Sequence, residues 1–457
     1  MAETKTKSLE STIRDSLFGS LPSPTITAAG DASLPSWFDV TGLCTASIGV
    51  ACAEIAGLSR NTHPSEIKVD RKLASLWFGM TIRPQGWKLP PIWDDLAGLY
   101  RTSDGWIRLH TNAKHHKAAA LRVLNSTPDR ERIAKIVGDY KATDLETSIV
   151  EEGGCAATLM SLQDWAQHPQ GRAVNSEPLI DWKNNGEIPA HGWQHGIEQP
   201  LEGLRVVDCT RVLAGPVCTR FLAGYGADVL RIDPPGWEEA NIVPEVTLGK
   251  RTATLDLKSE SGRAAFLNLI ATADVFVHGY RKGALENLGL GTDILGAINP
   301  SLISVSLNAY GWTGPWSERR GFDSLVQMST GIAHLGMQRD EVDHPVPLPV
   351  QALDQATGYL MAAASIRALR IRQLSGTVLS ARVSLARTAS LLISTLGDQL
   401  ADASVIETPD DLSPTDERTD WGSAYRIRFP VSSSGVTPQW SIPAGRLHKD
   451  SPEWAHE

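Results

Sequence analysis

The amino-acid sequence predicts an α/β fold in which a doubly wound parallel sheet is joined to a second, smaller α+β domain. From Leu204 onward, strand patterns rich in β-branched residues alternate with helical patterns, as in "LRVVD", "AGPVCTRFLAGYGA" and "DVLRID". Strand, helix and strand within about 30 residues is the size of a βαβ unit, and repeated units predict a parallel sheet covered on both faces. The chain of 457 residues also exceeds one ordinary hydrophobic core, so two or more domains are expected.

The elements of the α/β part follow in regular order. After the first unit come the strand "TATLDL", the helix "SESGRAAFLNLIATA" and the strand "DVFVHG". A Gly-rich connection then leads to the strand "LISVSL". We assign residues 201–400 to this large α/β domain.

The sequence before this domain is organised differently. A helix of small residues follows Asp39, and a Trp- and Pro-bearing stretch leads to the strand "DGWIRLHTN" and the helix "AKHHKAAALRVL". We expect residues 1–80 to pack on the large domain, 81–170 to form the small domain, and 171–200, rich in Pro, Gly and Asn, to be a linker. Residues 401–457 have little periodicity, so we expect a C-terminal tail of loops or partial disorder.

The composition excludes several classes of protein. With 42% hydrophobic and 21% charged residues the chain is typical of soluble globular proteins, and its net charge of −9 provides no basic surface for nucleic acid or anionic membrane. The five cysteines contain no C-x-x-C pair, which argues against a disulfide framework or a zinc site. No apolar run reaches the roughly 20 residues of a membrane span, and the polar N-terminus does not resemble a signal peptide. We therefore expect a cytoplasmic protein.

The first βαβ unit raises the possibility of dinucleotide binding. Asp233 ends its second strand, where a ribose-binding acid would lie. However, the first turn contains the single glycine Gly215, whereas G-x-G-x-x-G needs three glycines. The sequence therefore disfavours a Rossmann dehydrogenase.

Two histidine pairs are candidate metal ligands. They are His115 with His116, and His191 with His195. Neither pair has a suitably spaced carboxylate or cysteine, and H-E-x-x-H is absent. We interpret these histidines as structural or exposed and predict no metal site.

Two stretches of the sequence resemble each other. "SWFDVTGLCTASIGV" begins at Ser36 and "VQALDQATGYLMAAASI" begins at Val350, and each combines an Asp, a Thr-Gly pair and a run of small helical residues. Asp is a favoured N-cap because its side chain accepts a hydrogen bond from a free N–H of the first turn. From the pattern alone, Asp39 and Asp354 are both interpreted as N-caps.

Five motifs between Leu201 and about Ala364 occur in the order found in the class III CoA-transferase family, the carnitine and bile-acid type. They are "RVLAGPVCTRFLAGYGADVLRID", "GKRTATLDLKSESGR", "ADVFVHGYRKGALENLGLG", "NPSLISVSLNAYGWTGPW" and "RRGFDSLVQMSTG". The chain resembles this family, which implies its large α/β domain, its small domain and an interlocked homodimer. The resemblance also implies transfer of CoA between an acyl-CoA and a carboxylic acid, with CoA as substrate and no tightly bound cofactor.

The order of the parts differs from the family's usual order. "DGWIRLHTN" and "SLQDWAQHPQGRAV" resemble the family's small domain and the segment after it, which normally follow the α/β half. The chain therefore resembles a permuted member with a partial internal duplication, in which the helix after Asp39 belongs to an incomplete first copy.

The resemblance also implies roles for individual residues. In the family, an Asp at the position of Asp354 is the nucleophile that forms an aspartyl-CoA thioester, a form of covalent catalysis. Asp354 is preferred over Asp39 because its copy directly follows the α/β motifs. The family's CoA contacts correspond to Arg211, Leu213, Ala214, Lys258, Gly279, Tyr280, Arg281 and Arg320.

Departures from the family pattern keep two other functions open. Asn287 stands where the family often has Arg, and Gly279-Tyr280 stand where Asn-Phe is common, so the chain could be a non-catalytic CoA-binding subunit. Racemases of 2-methylacyl-CoA share the superfamily and use a His just before the Asp of the "G-x-D" motif. Phe322 occupies that position here, and a phenyl ring cannot exchange a proton.

Overall fold

The structure is a computed structural model, and it describes residues 2–58, 66–190, 193, 196, 198–398, 400–401, 405–432 and 437–455. The helices and strands follow in the order α1 (Ala2–Asp15), β1 (Thr25–Ala29), α2 (Val40–Ala56), β2 (Glu66–Asp70), α3 (Arg71–Trp77), β3 (Ile82–Pro84), β4 (Gly98–Arg101), β5 (Trp106–Leu109), α4 (Lys114–Val123), α5 (Arg130–Gly138), α6 (Ala142–Glu151), β6 (Ala156–Thr158), α7 (Leu162–Gln167), α8 (Pro169–Ser176), β7 (Asp181–Glu187), β8 (Arg205–Cys209), α9 (Ala214–Gly224), β9 (Asp228–Asp233), α10 (Val243–Val246), β10 (Lys250–Thr254), α11 (Glu260–Ala271), β11 (Val275–His278), α12 (Thr292–Ile298), β12 (Ile303–Asn308), α13 (Asp323–Ser329), α14 (Ile332–Arg339), α15 (Ala352–Ser375), β13 (Thr377–Ser384), α16 (Leu385–Ile393), β14 (Glu417–Thr419) and β15 (Gly422–Arg426).

A seven-stranded sheet in the order β10-β9-β8-β11-β12-β13-β7 forms the centre of the protein. The strands from β10 to β13 are parallel, and β7 joins β13 antiparallel at one edge. After the edge strand β7, the chain enters the parallel part of the sheet at β8, proceeds to β10, and then crosses over to β11 and β13, so the direction of winding reverses between β8 and β11. The predicted doubly wound parallel sheet is confirmed, whereas the segment expected to be a linker contributes the edge strand β7.

Hydrophobic side chains on the two faces of this sheet belong to two different clusters. Val206 and Val275 pack in one cluster with α2, α9 and α15. Val207 and Phe276, one position further along the same strands, pack in the other cluster with α11. Because successive side chains of a strand point to opposite faces, the sheet is covered on both sides.

The two similar sequence stretches have the same succession of elements. α2, β2 and α3 form the first unit, and α15, β13 and α16 form the second. α2 packs against α15, and Glu54 of α2 forms buried ion pairs with Arg367 and Arg370 of α15, each at 2.7 Å. The units differ in their sheets, because β2 pairs with β1 in a two-stranded parallel sheet while β13 lies within the central sheet.

Two smaller sheets complete the fold. β4, β5 and β6 form an antiparallel sheet that shares a separate hydrophobic cluster with α4, α5 and α6. β14 and β15 form a second sheet with β3, so the region predicted to be an irregular tail contains ordered strands. In the described residues, no helix combines the length and apolar character needed to cross a membrane.

Candidate functional site at the carboxyl ends of the central strands

A cavity of about 360 Å³ lies at the carboxyl ends of β8, β11 and β12. β8 and β11 are the neighbouring strands between which the winding of the sheet reverses. At such a point the connections leave in opposite directions, which opens a crevice outside the strand ends. The sheet topology therefore accounts for the position of the cavity.

The connection from β8 to α9 forms one wall of the cavity. Val212 in this connection has φ of +65°, a left-handed conformation that is unfavourable for a β-branched residue. Its N–H donates to Glu239 Oε1 at 2.8 Å, which holds the conformation in place. The adjacent Arg211, Leu213 and Ala214 line the cavity.

A buried network of ion pairs and hydrogen bonds stabilises this connection. Lys250 Nζ donates to Asp208 Oδ2 at 3.0 Å and to the carbonyl of Pro216 at 3.0 Å. Thr219 Oγ1 donates to the same Asp208 carboxylate at 2.6 Å. The start of α9 is thus tied to the end of β8 through groups that are themselves fully buried.

Four arginines line the cavity, and they differ in how their charges are balanced. Arg211 lies 3.5 Å from Asp233, and its guanidinium stacks 4.5 Å from the ring centre of Trp237. Arg319 forms an ion pair with Glu146 of α6 and donates to the carbonyl of Ala156 at 2.8 Å.

The other two arginines are Arg281 and Arg320. No ion pair joins either one to a carboxylate in the described part of the chain. Burial lowers the pKa of Arg281, and the charge of Arg320 lowers it further, as expected for two cations near each other. Glu318 partly offsets this effect on Arg281. These two side chains therefore provide cavity cations that are not held in ion pairs within the described residues.

Asp354 provides the carboxylate of the cavity. It is the third residue of α15 and lies inside the first turn, because the N-cap is Gln351. Its interpretation as an N-cap was therefore wrong. The residue is 7% exposed and lines the cavity, and its carboxylate accepts no hydrogen bond from the described part of the chain.

The close approach of two helices positions this carboxylate. A Cβ added to Gly358 would lie 2.5 Å from the carbonyl oxygen of Ala214, so glycine is required where α15 meets the start of α9. Asp354 precedes Gly358 by four residues and shares its helix face. The same face therefore presents Asp354 beside the β8–α9 connection.

A second carboxylate lies next to Asp354. Asp323, the first residue of α13, accepts a hydrogen bond from the Asp354 N–H at 2.9 Å and another from the side chain of Gln327. Burial raises the pKa of Asp354, and the neighbouring Asp323 charge raises it further. Burial also raises the pKa of Asp323, which its hydrogen bonds partly offset.

Asp39 lies in a different environment. It is the N-cap of α2, and its Oδ1 accepts a hydrogen bond from Gly42 N at 2.8 Å. Its backbone angles of −75° and 67° match the −76° and 65° of Gln351, so Asp39 corresponds structurally to Gln351 and not to Asp354. The N-cap interpretation is correct for Asp39.

The helix α4 contributes two histidines to the cavity wall. His115 and His116 both line the cavity, and His116 Nε2 lies 3.5 Å from Cys155 Sγ. Burial lowers the pKa of His116 to about 3, so its ring is neutral at physiological pH. In the described residues, no group of three or more potential ligands is arranged around a metal position, and His191 and His195 lie outside those residues.

Phe322 separates these histidines from the carboxylates. Its ring stacks on His110 with centroids 3.7 Å apart and planes 11° from parallel. Burial lowers the pKa of His110 to about 3. The position before Asp323 therefore holds an apolar ring packed on a neutral imidazole.

Most of the residues suggested by the sequence come together in this cavity. The lining includes Arg211, Leu213, Ala214, Gly279, Tyr280, Arg281, Arg320 and Asp354. Lys258 is exposed and follows the edge strand β10, outside the cavity, and the exposed Asn287 also lies outside it. Sequence reasoning missed Arg319, Trp237, His115 and His116 as lining residues, although "RRGFD" and "KHH" were visible as unusual clusters.

Comparison with known proteins relates part of the chain to a described family. Residues 201–427 match the model of CoA-transferase family III. An acyl-CoA transferase of Fusarium pseudograminearum is 31% identical over 251 residues, which cover 50% of this chain and 55% of the relative. The succinyl-CoA:glutarate CoA-transferase of Mus musculus is 34% identical over 191 residues, which cover 39% of this chain and 43% of the relative.

A Mycobacterium tuberculosis protein matches in both sequence and structure. The probable fatty acyl-CoA transferase Rv3272 is 36% identical over 192 residues, which cover 39% of this chain and 48% of that protein. The crystal structure of Rv3272 in its orthorhombic form covers 43% of this chain and 57% of that chain, with 36% identity and a TM-score of 0.41. The chain thus spans about half the length of the curated relatives it matches.

Proposed function

Through residues 201–427 this chain belongs to CoA-transferase family III, and on that premise we propose that it transfers CoA from an acyl-CoA to a carboxylic acid through a covalent intermediate on Asp354. One observation carries the proposal. Among the described residues that line the cavity, Asp354 is the one carboxylate, and it shares the cavity with Arg281 and Arg320, which form no ion pair in the described part of the chain. A nucleophile and an anion-binding surface therefore meet in one place.

The chemistry exchanges acyl bonds without oxidation or reduction. The ionised Asp354 carboxylate attacks the thioester carbonyl, the C–S bond breaks, and the CoA thiolate leaves a mixed anhydride on the enzyme. The thiolate then attacks the aspartyl carbonyl, which releases the donor acid and leaves a thioester between Asp354 and CoA. An acceptor carboxylate reverses the two steps, so each activated intermediate retains the energy of the original thioester.

The environment of Asp354 suits this role in two respects. Its small exposed fraction limits the access of water, which would hydrolyse an anhydride. A carboxylate without hydrogen-bond donors keeps its lone pairs available for attack, and a raised pKa makes its ionised form more nucleophilic. Because of this raised pKa, Asp354 must lose a proton before it can attack the thioester. Its titration is coupled to that of the neighbouring Asp323.

CoA itself would be held mainly by charge. It carries a diphosphate and a 3′-phosphate, which Arg binds through forked hydrogen bonds. Arg281 and Arg320 are the cavity cations without an ion pair in the described residues, and Arg211 adds a third guanidinium beside Tyr280, 5.8 Å from that ring. Leu213, Ala214 and Gly279 would allow CoA to approach the backbone closely. Lys258 stays a predicted contact of the exposed nucleotide end of CoA.

The relatives' names suggest substrates of two kinds. One curated relative is named a succinyl-CoA:glutarate CoA-transferase and another a probable fatty acyl-CoA transferase. Both names describe transfer from or of an acyl-CoA, and the first also names a carboxylic acid, glutarate, in agreement with the proposed reaction class. Racemisation is disfavoured because Phe322, stacked on the neutral His110, offers no titratable group at the position used by the racemases.

Three further predictions from the sequence concern the order of the parts of the chain, the oligomeric state and the location of the protein. We propose that the parts of the chain are permuted relative to the family, with residues 1–80, 81–170 and 201–400 as separate functional portions. The homodimer and the cytoplasmic location stay predictions.

Trapping of the covalent intermediate tests the proposed function. The protein is incubated with several acyl-CoAs, quenched, digested and searched by mass spectrometry for a CoA or acyl adduct, with hydroxylamine trapping to locate the modified carboxylate. We expect the adduct on the peptide that contains Asp354. Labelling at Asp39 would transfer the role to the first unit, and CoA binding without any adduct would support a non-catalytic subunit.

A further inference from the structure

A second cavity of about 380 Å³ adjoins the first. The two cavities share Trp237, from the connection after β9, and His115, at the start of α4. Its remaining walls come from residues 90–95, from residues 112–114 and from the loop 236–241. We call this second space the tail chamber, because it continues from the cavity that contains Asp354.

Aromatic and small apolar groups make up much of the chamber wall. Trp93 and Trp237 both line it, together with Pro90, Pro91 and Ala240. Each indole is backed by an arginine, since Arg108 lies 4.6 Å from the ring centre of Trp93 and Arg211 lies 4.5 Å from that of Trp237. Fixed aromatic rings of this kind provide flat, rigid contact area for an apolar ligand.

The charges of the tail chamber differ from those of the first cavity. Three of its four carboxylates form ion pairs, Asp94 with Lys117 and Glu238 with Lys114, each at 2.7 Å, and Glu239 with Arg231 at 2.8 Å. Asp95 is exposed, and no ion pair neutralises it within the described residues. Lys114, the chamber's lysine, already has a carboxylate partner, so a second anionic group of a ligand would meet net negative charge.

We propose that the tail chamber holds the uncharged part of the acid whose carboxylate reacts at Asp354, so that the protein prefers monocarboxylic acids with neutral, aromatic or branched tails over dicarboxylic acids. The inference rests on the proposed function and adds its substrate class. The carboxylate end lies with Asp354 and the arginines, while the neutral end packs between the two tryptophans. A dicarboxylate would carry its second charge into a chamber whose described lining contains four carboxylates and one lysine, which is already paired with Glu238.

Competition between matched acids tests this inference. The wild-type protein is supplied with one acyl-CoA donor and with pentanoate, glutarate, 3-phenylpropanoate or acetate, and the new acyl-CoA is quantified by chromatography. Pentanoate and glutarate have the same carbon count and differ in one terminal carboxylate. We expect kcat/KM for pentanoate and for 3-phenylpropanoate to exceed that for glutarate at least ~10-fold.

Two variants probe the chamber itself. Ala240→Trp places a large side chain in the chamber and should lower the ratio of 3-phenylpropanoate to acetate turnover about 10-fold. Asp95→Arg supplies a cation and should raise the ratio of glutarate to pentanoate turnover about 10-fold. Asp31→Arg, an identical charge change at an exposed site away from both cavities, should leave all ratios unchanged.

A binding measurement separates this inference from the proposed function. Saturation-transfer NMR with 3-phenylpropanoate and glutarate needs no turnover, and it should show contact for the first acid that Ala240→Trp abolishes. If no adduct forms on Asp354 but this pattern holds, the proposed reaction fails and the chamber assignment stands. Equal use or equal binding of glutarate and pentanoate, or insensitivity to Ala240→Trp, would overturn the chamber assignment.

Discussion

The unit of α2, β2 and α3 and the unit of α15, β13 and α16 share a sequence pattern and a succession of elements, yet their aspartates differ in position and surroundings. Asp39 is the N-cap of α2, and its carboxylate accepts a hydrogen bond from the Gly42 N–H. Asp354 lies inside the first turn of α15 and keeps its carboxylate free at a cavity wall. A shift of three helical positions thus separates a structural carboxylate from one available for chemistry.

The difference in surroundings follows from the sheets to which the units belong. β2 pairs with β1 alone, whereas β13 is part of the central sheet, beside strands whose ends form the cavity. The first unit therefore serves as packing for α15, through contacts such as Glu54 with Arg367 and Arg370. The comparison shows that the strands beside a repeated motif decide whether the motif contributes to a functional site.

The strongest test of the comparison exchanges the two aspartates for asparagine. Asp354→Asn removes the nucleophile and should lower the CoA-transfer rate at least ~1,000-fold. Asp39→Asn keeps an N-cap side chain and should change the rate less than about twofold. Rates are compared with the same donor and acceptor, and an Asp354→Asn variant that retains more than a tenth of the activity would contradict the assignment.

The same variant should change stability in the opposite direction to activity. The pKa of Asp354 is raised in the folded state by burial and by the Asp323 charge, so folding favours its protonated form. The stability linked to this proton is complete below the ordinary Asp pKa of about 3.9 and is lost as pH rises through the folded-state value. Asp354→Asn should therefore have a higher urea midpoint than the wild type at pH 7, and a lower midpoint would refute this account.

Breaking the contact between the two units should cost the most stability. Glu54→Ala leaves the guanidinium groups of Arg367 and Arg370 buried without their shared carboxylate. Removing one partner of a buried ion pair typically costs about 3 kcal/mol in the free energy of unfolding. Urea unfolding measures the loss, with Glu10→Ala as control, because its half-buried pair with Arg14, four residues along the same helix, is worth about 0.5 kcal/mol or less.

A smaller effect concerns the pH dependence of the second unit alone. Asp323→Asn keeps an acceptor for the Asp354 N–H but removes a negative charge that raises the pKa of Asp354. The acidic limb of the kcat/KM profile should therefore move to lower pH than in the wild type. An unchanged or upward-shifted limb would show that the Asp323 charge does not control ionisation of Asp354.

The smallest expected effect belongs to the cap of the first unit. Asp39→Ala removes the acceptor for the Gly42 N–H and should cost about 1 kcal/mol of stability, while Asp39→Asn should cost only a few tenths. Thermal or urea unfolding distinguishes the two variants. Equal losses for both would mean that the contact of Thr6 with Asp39, and not the cap, is the important one.

Much of the α/β part was predictable because its signals are local. Gly279, Tyr280 and Arg281 directly follow a strand pattern, and residues at parallel strand ends share one edge of a sheet. Lys258 follows a strand in the same way, but β10 is the edge strand, which takes it away from the cavity. Strand order, which decides this, is not encoded in any single motif.

The residues that sequence reasoning missed depend on contacts between distant segments. Arg319 lies at the cavity because it reaches Glu146 and the carbonyl of Ala156, more than a hundred residues earlier in the chain. Trp237, in the connection after β9, and His115, in α4, line both cavities although they are distant in the sequence. No local pattern announces such contacts, since each of these side chains alone is compatible with an exposed surface.

The sequence by itself determined the alternation of strands and helices, the parallel sheet and the family motifs, because these depend on hydrophobic periodicity and on short spacings. Only the tertiary structure decided which aspartate is an N-cap and which has a carboxylate without a hydrogen bond from the described residues. Both lie near the start of a similar helix, but Asp39 is the N-cap of α2, whereas Asp354 lies inside the first turn of α15. The tertiary structure also decided the raised pKa of Asp354, because desolvation and the charge of Asp323 arise only when α13 and α15 pack together. Local pattern fixes the elements, and long-range packing fixes the electrostatics of the site.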